Sequence, residues 1–217
     1  MSFKPTKWSI VVLGRWNPAL FTPAGIRSRV FNLSEQTPIE VLVSLDDIGP
    51  TKVRYEDIVV WADQNRLAVE LEICDFAKLQ KAIALVVNVI QALPETPVNA
   101  VGINVRYESD PGDERVSVLL SGKPDDLLSD MGYEITGRQS VRTLNMPTGR
   151  ITFAVEALPD DKWDVLLNFE MRSKSVADLA AWLEATCPEV EKHVRKLLPS
   201  VVEFQEEELG CATNNTQ

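Results

Sequence analysis

The sequence predicts an α+β fold in which antiparallel sheets are each covered by a long helix. Three observations carry that prediction. Runs of alternating apolar and polar residues come in groups, separated by hairpin-length turns rather than by helices. A long helical stripe closes each group. The groups end on segments of similar shape, Leu67-Ala-Val-Glu-Leu-Glu-Ile73 and Val165-Leu-Leu-Asn-Phe-Glu-Met171, which suggests a diverged duplication of a strand-strand-strand-helix unit.

The elements follow in order. Ile39, Val41, Val43 and Leu45 read as a strand that stops at the turn cluster Asp46-Asp47-Ile48-Gly49-Pro50. Ile58 to Trp61 and Leu67 to Ile73 are two more strands, the second with Glu70 and Glu72 on its polar face. Phe76, Leu79, Ile83, Val86, Ile90 and Leu93 recur at helical spacing, with Asp75 placed as the cap and Pro94 as the stop. Val101 to Tyr107 and Val116 to Leu120 form a hairpin with a polar tip, and a short helix runs from Lys123 through Met131. Ile135 to Leu144, Arg150 to Leu158 and Trp163 to Met171 are strands. Ser175 and Asp178 mark a capping box for a last helix, broken near Pro188 and resumed by Val190, Val194, Leu197 and Leu198. Residues 1–121 are then an N-terminal half and 122–204 a C-terminal half of one compact unit, with 205–217 a flexible acidic and polar tail.

A chain of 217 residues with 45% hydrophobic content can build a full core without disulfide or metal staples. The same composition excludes collagen-like, low-complexity and wholly disordered classes. Its net charge of −10 repels phosphate backbones and anionic bilayers, which argues against nucleic-acid and membrane partners. Charge is uneven, however. Residues 1–34 carry only basic groups, and between Gly137 and Arg150 the charged residues are Arg138, Arg142 and Arg150 alone. Three widely spaced cysteines fit a reducing compartment. No secretory h-region precedes Gly14-Arg15, and the apolar run Ile83 to Ile90 is far shorter than a membrane span; a cytoplasmic protein is expected.

Catalytic motifs are scarce. His193, the single histidine, falls on the polar flank of the last helix, and one histidine cannot make a two-histidine zinc site. Ser121-Gly122-Lys123-Pro124 fails the phosphate-loop pattern, because proline stands where Ser or Thr should and the upstream glycine is missing. Cys187, just before Pro188, is either a thiol activated at a helix start or a structural one. Adjacent acids Asp46-Asp47, Asp125-Asp126 and Asp160-Asp161 suit turns and caps as well as they suit metal ions. Glu70 and Glu72, joined by Asp46 or Asp110, would be the carboxylates of a divalent-metal phosphodiesterase or nuclease. Arg138, Arg142 and Arg150 would hold an anion if they lined one concave pocket. The segment Gly14 to Gly25 places Trp16, Asn17 and Phe21 in a loop, a candidate recognition surface or a lid over the core.

Ala100-Val-Gly-Ile-Asn-Val-Arg-Tyr107 is similar to the strand that follows the first long helix in a sporadically distributed family of uncharacterised bacterial α+β proteins. Val165 to Met171 and the leucine-spaced helix after it resemble that family's closing strand and helix, so the likeness runs from residue 39 to residue 200. The resemblance implies a sheet-plus-helix duplication in a bacterial or phage-borne gene, and no activity. The reading from the residues is a non-catalytic protein-binding subunit or adaptor of a cytosolic assembly, with a protein partner or homo-oligomer and no cofactor. The metal enzyme and the small-anion sensor are its alternatives.

Overall fold

The computed structural model describes residues 3–43, 49–109, 120, 123–158 and 162–212. The strands are β1 (Phe3–Gly14), β2 (Glu40–Leu42), β3 (Lys52–Tyr55), β4 (Ile58–Ala62), β5 (Arg66–Leu71), β6 (Val98–Ser109), β7 (Gln139–Asn145), β8 (Arg150–Leu158) and β9 (Lys162–Arg172). All nine join one antiparallel sheet in the order β2-β3-β4-β5-β1-β6-β9-β8-β7. The α+β class is as expected, but separate sheets are not formed. They merge because β1, which sequence periodicity does not mark as a strand, pairs with β5 on one side and β6 on the other. Trp8, Ile10 and Val12 of β1 enter the core while Val11 and Leu13 lie on the opposite face, so the stretch Ile10 to Leu13 is apolar without alternation.

Among the described residues the α-helices are α1 (Pro23–Gly25), α2 (Phe76–Ala92), α3 (Lys123–Asp130) and α4 (Val176–Ala212). Asp75 caps α2, its side chain accepting the Lys78 amide at 2.7 Å. Leu79, Ala82, Ile83, Val86 and Ile90 form the buried stripe of this helix. Removing each of its Leu, Ile and Val side chains from water contributes roughly 1.5–3 kcal/mol. At the start of α4 the Ser175 hydroxyl accepts the Asp178 amide at 3.2 Å. The return half of the capping box is relayed: Asp178 takes the Ser173 hydroxyl at 2.9 Å, and Ser173 Oγ takes the Ser175 amide at 3.0 Å.

Helix α4 does not break at Pro188, and its backbone continues past Gln205 to Ala212. Pro188 and Glu184, whose carbonyl the missing N–H would have bonded, are both exposed, so the loss of that bond falls on the solvent-facing side of the helix. Both long helices lie on the face lined by Trp8 and Phe169. The Phe76 ring of α2 stands 4.9 Å from Trp8, the His193 ring of α4 stands 6.2 Å from Phe169, and the helices pack against each other. Among the described residues, no helix is long and apolar enough to cross a membrane.

Asp46, Asp47, Asp110, Val116, Val118, Ser121, Gly122, Asp160 and Asp161 lie outside the described residues, as do residues 213–217.

Candidate functional site

The sheet ends in two edges of different character. Strand β2 is three residues long and is cross-linked by Arg54, which pairs with Glu40 and with Glu72. Such a short, charged edge is protected against pairing with another chain. Strand β7 is seven residues long, pairs with β8 in unbroken register, and contains a single charged residue, Arg142.

Hydrogen bonds at both ends of the β7–β8 pair fix which backbone groups point outward. The Met146 amide donates to the Gly149 carbonyl at 3.1 Å, and the Ala157 amide donates to the Arg138 carbonyl at 3.0 Å. Bonded and non-bonded pairs alternate in an antiparallel ladder. Counting from either end therefore gives Ser140, Arg142 and Leu144 to β8. The backbone N–H and C=O groups of Gln139, Val141, Thr143 and Asn145 are left facing outward. Val141, 54% exposed, stands in the middle of that row. Next to the edge, α3 is tied to the start of β7 by the Arg138–Asp125 ion pair at 2.7 Å and leaves Leu127, Leu128 and Met131 exposed.

Register also separates the three arginines. Arg142 pairs across with Phe153 and so shares the helix-bearing face, as does Arg138 two pairs earlier on the alternation. Arg150 pairs with Glu170 on the opposite face, bonding it at 2.9 and 3.2 Å. The arginines therefore do not line one pocket, and two of them are spent on carboxylates. Arg142 bonds the Ser140 hydroxyl and, among the described residues, no carboxylate.

The aromatic loop turns inward. Trp16 is 4% and Phe21 6% exposed, packed edge-to-face at 5.5 Å, and the Trp16 indole donates to the Val12 carbonyl at 3.1 Å. Of the three expected contact residues it is Asn17 that stays outside, capping the turn Pro18–Leu20 by accepting the Ala19 amide. Trp16 and Phe21 are thus core residues. Ile26, Val30 and Phe31 bury beside them, so the loop closes one end of the core.

The face opposite the helices carries a polar ladder across the central strands. Asn168 donates to Asn104 at 2.6 Å, and Asn104 donates to Ser9 at 3.2 Å. A shallow hollow of about 180 Å³ beside it is floored by Val11, Ala100 and Gly102. Glu70 and Glu72 do share this face, but Lys52 and Trp61 hold Glu70 while Arg54 holds Glu72. Among the described residues no three acids, cysteines or histidines gather in a metal-binding group. Burial raises the Glu170 pKa, yet hydrogen bonds from Arg172 and Arg150 outweigh it and hold the group below its ordinary value. Burial pushes the Cys187 and Cys74 thiols up, which is the opposite of an activated nucleophile. His193 faces Glu189 and the Phe169 ring.

Asp164 is the buried acid of this face. It lies between Glu108 and Glu156 in the ladder, 3.0 Å from Arg106. Burial raises its pKa more than Arg106 lowers it, and the two flanking glutamates add to the rise. A raised folded-state pKa means that the ionised group costs stability at neutral pH, and that this cost disappears below the unfolded pKa of about 3.9. Asp164→Asn is therefore expected to stabilise the protein at pH 7, with the gain vanishing near pH 3.5. Urea titrations at the two pH values check it, and a loss of stability at pH 7 would refute it.

No protein-family model matches the chain, and no curated protein matches it.

Proposed function

We propose that the protein is a non-catalytic binding subunit that accepts an extended segment of a protein partner along the outer edge of β7. One observation carries this reading. A seven-residue, bulge-free edge strand presents outward-facing backbone groups that, among the described residues, no further strand pairs, and Arg142 is its one charge. Strand addition to such an edge gains main-chain hydrogen bonds, and neighbouring side chains choose the partner. Self-pairing through β7 is disfavoured. An antiparallel pair centred on the strand brings the two copies' Arg142 side chains opposite or diagonal to each other, within about 8 Å.

The reading includes a duplication. Strands β1-β5-β4-β3 run outward on one side of the sheet centre and β6-β9-β8-β7 on the other. Helix α2 follows β5 and packs on β1 and β5, while α4 follows β9 and packs on β6 and β9. On that reading the repeat boundary falls between Ala92 and Val98.

Thr143→Pro tests the edge. Its amide faces outward, so proline removes one docking donor and no bond to β8, a placement that edge strands tolerate. Protein recovered gently from its own host should carry a bound polypeptide in native mass spectra. The variant should lose it while staying within about 1 kcal/mol of wild-type stability. A partner retained by the stable variant would sink the proposal.

A further inference from the structure

Resting on the edge reading above, we propose that the partner segment is acidic, with carboxylates alternating with apolar residues. The argument is charge complementarity at residue resolution. Between Gly137 and Arg150 the chain contains no acid, although the whole protein carries a net charge of −10. Within β7 the one charge is Arg142, whose guanidinium has no carboxylate partner among the described residues. Arg138 precedes it on the same face, neutralised on one side by Asp125 and otherwise half-exposed.

An incoming antiparallel strand alternates its side chains between the two faces of the sheet. On the helix-bearing face it meets Ser140 and Arg142, which call for a carboxylate. On the other face it meets exposed Val141 and the Thr143 methyl, which call for an apolar side chain. Carboxylate and apolar residue therefore fall at adjacent positions of the partner. A lysine opposite Arg142 would place like charges directly across from each other, which is destabilising. The fit thus selects by repulsion as well as by attraction.

The probe is a fluorescein-labelled peptide, Thr-Val-Glu-Val-Glu-Val-Thr, compared with versions in which both Glu are Gln or Lys. Binding to the full chain is read by anisotropy at low and at physiological salt. Exposed charge pairs of this kind change affinity by up to about fivefold each. The expected order is Glu tighter than Gln by about threefold, and Gln tighter than Lys, with the spread narrowing as salt rises. Arg142→Glu should invert the order without loss of fold. Equal affinity of the three peptides, all abolished by Thr143→Pro, would overturn the acidic preference and leave the edge reading standing. Absence of binding by every peptide, or binding that Thr143→Pro leaves unchanged, would overturn both.

Discussion

Gly149→Val is expected to destabilise the protein by about 3–5 kcal/mol, the sum of backbone strain and overpacking. Gly149 closes the β7–β8 hairpin at φ +92°, a conformation that side-chain-bearing residues rarely adopt. A Cβ built there would lie 2.3 Å from the Glu170 carbonyl oxygen and 3.6 Å from the Trp182 indole nitrogen. The backbone atom cannot move aside, since Glu170 lies within the ladder between β6 and β8. The hairpin cannot swing away cheaply either, because Trp182 of α4 donates to the Thr148 carbonyl at 3.1 Å and holds it down. Gly137→Ala is the control, with nothing within 4 Å of the added carbon, and should be neutral or slightly stabilising. Urea denaturation with an unchanged m-value checks both. A loss under about 1 kcal/mol for the valine variant would show that the hairpin relaxes freely.

Phe169→Ala should cost about 3–5 kcal/mol by opening a cavity at the centre of the core. Phe169 is fully buried on β9, facing Ile103 of β6 and Ile151 of β8 across the ladder. The His193 ring covers it from α4. Strands on both sides and a helix above leave little room for collapse, so the upper part of the range applies. Phe169→Leu keeps most of the volume and should cost well under half as much. Equal losses for the two variants would place the energetic importance in the aromatic ring rather than in the volume it fills.

Parts of this architecture were legible in the sequence, and the reasons differ by element. Helix α2 was legible because Asp75 and Pro94 punctuate an apolar stripe at helical period. Strands β4, β5, β8 and β9 were legible from alternation or from short apolar runs bounded by turns. Strand β1 was not, because the central strand of a wide sheet has apolar groups on both faces and loses the alternation that marks a half-buried one. Strand β3 has four residues, of which only Val53 is fully buried, too few for a pattern. At the candidate site, the acid-free stretch from Gly137 to Arg150 was visible as composition. The separation of Arg138 and Arg142 from Arg150 was not, since it depends on strand register. Trp16 and Phe21 look alike as surface anchors or core plugs in sequence, and only the chain path over the end of the sheet decides between them.

The central position of β1 bears on how the chain is made. Ser9 and its hydrogen-bond partner Asn104 are 95 residues apart, so β1, once synthesised, waits for one of its two neighbours. At about 5–20 residues per second the wait lasts roughly 5–20 s. Throughout it, the apolar run from Trp8 to Leu13 is an unfinished sheet edge. Nascent chains stalled before β6 should accordingly bind hydrophobic-segment chaperones through β1, and release should coincide with the emergence of residues 98–109.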